Sequence, residues 1–284
     1  MITDFRYRGA PALKKAFISF VLLIMIVYVI LILYPLFNMF ISSFKTNRAI
    51  LSTPFSLPEQ YDFKNFATVW IDKGFAGYFT NSIIVTGIAM GSILLFGSMA
   101  AYGISRYSFR GNILIYMLFL SGIMLPLKAA IIPLFLLIKN MGLMNTRLSV
   151  IMIFIAMGLP STVFILSGFM KAIPLELEYA ARIDGCNDFT IYRKVVMPMV
   201  APAIALVTIY NSVPIWNDFF FPLVFLQSNA IKTLPVGLST FFGQHSTNWA
   251  LLFTGLSIAI LPMLILYLFM SKYFIQGMTA GAVK

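Results

Sequence analysis

Side chains able to do chemistry are few and scattered in this 284-residue sequence, which has one histidine (His245), one cysteine (Cys186) and nine carboxylates. A single histidine excludes the two-histidine HExxH zinc motif, and a single cysteine excludes an internal disulfide or a multi-thiolate metal centre. The sequence has no Gly-Lys pair, so it lacks a GxxxxGK[ST] phosphate-binding loop, and it has no GxSxG nucleophile turn either. No catalytic residue, metal site or resident cofactor is expected. Two constellations remain. Lys128 and Asp218 place charge inside long apolar stretches, the second beside Tyr210, Asn211, Trp216 and Asn217, whose amides, hydroxyl and aromatic faces suit a hydroxyl-rich solute. The segment 171–199 concentrates eight of the chain's charges.

The elements that must carry these residues follow from composition. Hydrophobic residues make up 60% of the chain and charged residues 10%, against about 45–50% and about 25% in soluble domains. Mean hydropathy is +0.92. So few charges cannot cover a water-soluble surface, and disorder is excluded by the same figures. The net charge of +11 makes no basic stripe, so nucleic acid is not the partner.

About 20 apolar residues span a bilayer, and six stretches qualify, roughly 16–41, 79–104, 113–138, 148–170, 200–226 and 249–271. The first is too long for the h-region of a signal peptide and no A-x-A site follows, so it reads as a retained anchor. Gly87 and Gly91 form a GxxxG pattern expected to serve helix packing within the bundle. Six spans put twelve of the twenty Lys and Arg on the side of the termini, which favours cytoplasmic termini. The expected fold class is an all-α integral membrane protein of six transmembrane helices, with a cytoplasmic helix-turn-helix between the fourth and fifth. The domains are a cytoplasmic N-terminal segment 1–15, a membrane domain 16–272 and a cytoplasmic tail 273–284.

Within 171–199, Pro174 suits a first helical position, and Glu176 and Glu178 lie in the first turn where the macrodipole favours anions. Gly185 stands where a left-handed residue would end the helix. Asn187 or Asp188 can cap a second helix that runs until Pro198 opens the fifth span. On physics alone, this is a compact elbow that either docks on a partner or lies on the headgroups, anchored by Arg193 and Lys194.

The spacing resembles the EAA loop of permease subunits of bacterial ABC importers. Ala180-Ala181, three residues, Gly185, nine residues and Val195-x-Met197-Pro198 keep that register, and Asp184 matches the carbohydrate branch. Tyr179 occupies the glutamate slot of the triplet. Glu178 is adjacent but about 100° round a helix, so it does not simply replace that glutamate. Trp216-Asn217-Asp218-Phe219 with Pro222-Leu223, Leu234-Pro235-Val236-Gly237-Leu238, and the ending from Gly277 to Lys284 are similar to segments of sugar permeases of the maltose and multiple-sugar type.

The resemblance implies a bacterial cell-membrane subunit that forms half of a sugar path. Its partners would be a second permease subunit (a heterodimer), two ATPase subunits holding ATP and Mg, and an extracytoplasmic solute-binding protein. The loop 171–199 would couple it to the ATPase, and the tail would add a second contact. In similar permeases a glutamine commonly stands where Lys128 does. Lys128 and Asp218 either each snorkel to the outer interface, or pair structurally, or face the path. The rival classes are a stand-alone ion-coupled carrier, which would call for more intramembrane carboxylates, and a membrane-embedded enzyme, for which the motifs are missing. Reporter fusions at residues 60 and 190 are expected to report opposite sides of the membrane, and agreement between them would overturn the topology.

Overall fold

The computed structural model describes residues 12–242 and 247–282, with residues 12, 13, 15 and 273–282 as backbone. His245, the cations Arg6 and Arg8, and Lys284 lie outside the described residues. Helix α1 (Ala12–Ser42) leads into a segment with two short helices, Asn47–Ser52 and Lys64–Ala67. Then come α2 (Phe75–Arg106), α3 (Asn112–Met124), α4 (Ile131–Asn140) and α5 (Arg147–Lys171). A hairpin of α6 (Glu176–Ile183) and α7 (Asp188–Ile191) follows, and α7 is extended by a π-type turn and Met197–Met199. The chain continues with α8 (Ala201–Asn217), α9 (Phe220–Phe225), α10 (Leu234–Ser239) and α11 (Trp249–Ala282). Among the described residues there is no strand, only an isolated bridge between Phe242 and Thr247.

Four helices are long and apolar enough to cross a membrane: Ala16–Ser42 within α1, α2, α5 and Trp249–Lys272 within α11. The stretches expected as the third and fifth spans are each broken. Leu125, ahead of Pro126, adopts the extended backbone that a following proline imposes, and this ends α3. Pro133 then sits in the first turn of α4, where its missing N–H is no loss. Asp218 is likewise extended; its Oδ1 accepts from Phe221 N at 2.8 Å and starts α9. At the other end of this stretch the helix runs through Pro198 to Met199 and turns 76° into α8, with Pro202 in the first turn of α8. The break thus falls at Val200, not at Pro198.

The core centres on α2 packed along α5, with α8 and α11 closing the bundle. Small residues allow this approach. A Cβ at Gly97 would run into Thr162, one at Gly158 into Ile93, and one at Gly122 would meet Pro160 Cγ at 2.8 Å. Gly87 and Gly91 do not serve that purpose, since a Cβ at either would meet nothing within 4 Å. Their GxxxG face is turned away from the bundle of this chain, contrary to the packing role expected. Helix α1 is exposed along most of its length and joins the core only at Ile41 and Ser42.

Polar side chains tie helix ends to the connecting segments, Asn81 and Lys45 from buried positions and Asn145 from an exposed one. Asn81 Nδ2 donates to Ala230 O and Lys232 O, both at 2.9 Å, while its Oδ1 accepts from Arg147 Nε at 2.9 Å. Asn145 Oδ1 accepts from the N–H groups of Gln227 and Ser228. Lys45 is buried, which lowers its pKa, and its ammonium donates to Thr53 O and Pro54 O at 3.2 Å. Asn81→Leu removes three part-buried hydrogen bonds and is expected to destabilise the protein by about 1–3 kcal/mol in all. The check is a lowered melting midpoint in detergent; an unchanged midpoint would show these bonds to be dispensable.

Candidate functional site

The elbow closes as a Schellman turn. Gly185 has φ +82°, Cys186 N donates to Ala181 O and Gly185 N to Arg182 O, both at 3.0 Å. Asn187, not Asp188, caps α7 through Oδ1, which accepts from Thr190 N at 2.9 Å. Arg182 and Asp188 bridge the two helices at 2.9 Å. Burial pushes the Tyr107 phenol up, with the Asp188 carboxylate accepting its hydroxyl proton as a second cause. Thus 176–191 folds by local rules into a fixed turn.

Glu176, Tyr179, Ala180 and Ile183 line the outward face of α6, and Ile183 is 87% exposed. Asp184, Gly185 and Phe189 are exposed beside them, and Pro198 is exposed at the end of the second arm. Glu178 points the other way. Its side chain is 4% exposed and its Oε1 lies 2.5 Å from Arg106 Nε, at the end of α2. The two atoms meet off the N–H axis, so the contact is an ion pair and not an aligned hydrogen bond. Arg106 Nη2 also donates to Ile173 O at 3.2 Å, and Tyr102 OH donates to Glu178 Oε2 at 3.5 Å. One turn deeper, the hydroxyls of Ser98 and Tyr192 are 2.7 Å apart.

The second constellation divides across α8. Asn211 and Trp216 face inward. Asn211 Nδ2 donates to Thr162 Oγ1 and Val207 O, its Oδ1 accepts from Ser161, and Trp216 Nε1 donates to Ala259 O at 3.0 Å. Tyr210 and Asn217, seven residues apart, share the exposed face. Lys128, in the break between α3 and α4, lies 3.5 Å from Asp218 Oδ2, in the break between α8 and α9, and 5.9 Å from the centroid of the Phe220 ring. Asp218 is nearly buried, whereas the Lys128 side chain is 62% exposed. The two charges form a pair that joins both chain breaks.

Residues 93–280 match the model of a family described as the binding-protein-dependent transport system inner membrane component. The chain belongs to this family. It is a permease subunit of a binding-protein-dependent ABC importer. The permease is 32% identical over 279 residues to the diacetylchitobiose uptake system permease protein NgcG of Streptomyces coelicolor, covering 98% of this chain and 92% of the relative. It is 36% identical over 234 residues to the melibiose/raffinose/stachyose import permease protein MelC of Bacillus subtilis, covering 82% and 85%. Its fold matches, with a TM-score of 0.81 at 24% identity, a chain in the crystal structure of a bacterial ABC transporter involved in import of the acidic polysaccharide alginate, covering 93% of this chain and 99% of that one.

Sequence reasoning missed Tyr102 and Arg106 in this permease. Arg106 counted only as one of the cations on the side of the termini, and no spacing rule links the end of α2 to a carboxylate in α6. The only available signal was that Glu178 lies on a different face from Tyr179. Because space around Gly185 is open, a side chain there is strained, not clashed, at a cost of about 1–2 kcal/mol for a left-handed residue. Trypsin is expected to cut the elbow faster in Gly185→Val than in Gly185→Asn, which tolerates that conformation. Equal rates would show that the turn is not held by Gly185.

Proposed function

We propose that the permease crosses a bacterial cytoplasmic membrane six times, with α3–α4 and α8–α9 each serving as one broken span and both termini cytoplasmic. The positive bias of the terminal side supports that orientation. In this reading the membrane domain is 16–272, the coupling loop is 171–199, and 1–15 and 273–284 are cytoplasmic segments. The chain lines half of a path whose other half comes from a second, non-identical permease subunit. Two ATPase subunits hold ATP and Mg and do the hydrolysis; this chain is not itself an enzyme. An extracytoplasmic binding protein delivers the solute.

The substrate class is an oligosaccharide, by analogy with relatives named for diacetylchitobiose and for melibiose, raffinose and stachyose. Lys128, Tyr210, Asn217 and Asp218 are the residues placed to meet it, while Asn211 and Trp216 hold α8 in position behind them.

The observation that carries this reading is the outward face of α6. Tyr179, Ala180 and Ile183 leave an apolar surface exposed on a rigid elbow, with Glu176 at its edge. Such a patch rimmed by charge suits a protein cleft. Tyr179 replaces a charged anchor with an aromatic one, so docking relies on shape and apolar burial. Purified from native membranes, the permease is expected to bring ATPase subunits with it, and Ile183→Asp to insert normally but lose them. A chain that emerges alone would point to a carrier; ATPase retention by Ile183→Asp would move the docking face elsewhere.

A further inference from the structure

Helix α2 is a continuous 32-residue helix without proline, about 1.5 Å of rise per residue and so long enough to cross the whole bilayer. Both of its ends grip other parts of the chain through buried polar groups. At the cytoplasmic end Arg106 pairs with Glu178, the side chains being 5% and 4% exposed. Tyr102 packs against Tyr192 with the rings tilted by 54° and centroids 5.3 Å apart, and Ser98 meets the Tyr192 hydroxyl. The outer end holds the segment after α9: Asn81 donates to Ala230 O and Lys232 O, and Ser82 Oγ accepts from Leu234 N at 2.8 Å. The covalent route from the elbow to that segment is much less direct. It turns 76° at Val200 and breaks again at Asp218.

We propose that the Arg106–Glu178 ion pair makes α2 a strut that carries movement of the coupling elbow to the outer segment 226–234. Arg106 is a positioning residue that acts through Glu178. This inference rests on the importer reading, because that reading supplies the motor that moves the elbow. A buried pair suits this role: neither charge can leave its partner without an uncompensated burial, so elbow and helix end move together. Helices α5 and α8 remain in contact with the elbow, but neither is held to it by charge. Glu178 is thereby removed from the docking face, which accounts for its burial beside an exposed Tyr179.

The test uses the assembled complex in proteoliposomes, with Cys186→Ser and a single thiol introduced by Ser228→Cys. The rate of thiol modification by a membrane-impermeant maleimide is read with and without MgATP. With the native pair, MgATP is expected to change the rate by about fivefold or more, the scale of an ordinary coupling between sites. Arg106→Gln or Glu178→Gln is expected to remove that change while the complex still hydrolyses ATP. The reversed pair Arg106→Glu with Glu178→Arg is expected to restore part of it, and Arg106→Lys most of it. No MgATP effect with the native pair, or one undiminished in Arg106→Gln, would overturn the strut. If Arg106→Gln fails to assemble, Arg106→Lys and the reversed pair decide: a nucleotide effect in either supports the strut, and assembled complexes of both without it refute it. A wild-type chain that retains no ATPase subunits would refute the importer reading instead.

Discussion

Inside a hydrocarbon slab an unpaired charge or peptide group has no water to turn to, and each one costs several kcal/mol. This permease departs from plain apolar helices in several places, and at Asp218 and Asn211 the polar groups find partners both within their own segment and in a distant part of the chain. The break at Asp218 is closed by its own carboxylate on Phe221 N, and the remaining oxygen faces Lys128 from the other broken stretch. The inward amide of Asn211 is satisfied by Ser161, Thr162 and Val207 O. Polar side chains therefore act here as fasteners between helices whose apolar surfaces would pack in several registers.

The same constraint orients the coupling elbow. Local rules, a Schellman turn and an Asn cap, make the hairpin but do not say which way it faces. The Arg106–Glu178 pair does. Breaking one partner of a buried pair costs about 3–5 kcal/mol, so rotation of α6 that would bring Glu178 outward is disfavoured. That leaves Tyr179, Ala180 and Ile183 outward and joins the hairpin to the C-terminal ends of α2 and α5, whose Ala101, Tyr102, Leu166 and Met170 share one core with Ile191 and Val196.

Much of this was legible in the residues, for physical reasons. Uninterrupted apolar runs gave α1, α2 and α5 to within a few positions and the start of α11, because length and hydropathy alone decide them; α11 continues to Ala282, eleven residues past the apolar run. The turn at Gly185 followed from a glycine placed past a short amphipathic helix. The breaks at 125–130 and 218–219 were not legible, since a proline in an apolar run is compatible with a kink as well as with a full stop. The candidate path residues were grouped by nearness along the chain, whereas helical periodicity splits them, with Asn211 and Trp216 inward and Tyr210 and Asn217 outward. Long-range pairs such as Arg106 with Glu178 or Asn81 with Arg147 leave no trace in local spacing.

The central claim is that the elbow and the C-terminal end of α2 behave as one body. The most direct measurement places spin labels by Met99→Cys and Leu177→Cys, both exposed positions outside the docking face, in a Cys186→Ser background of the assembled complex. Their separation is compared between nucleotide-free and ATP-bound states in which closure of the ATPase subunits has been verified. An unchanged distance distribution is the predicted result. A separation that shifts between the two states would contradict the account.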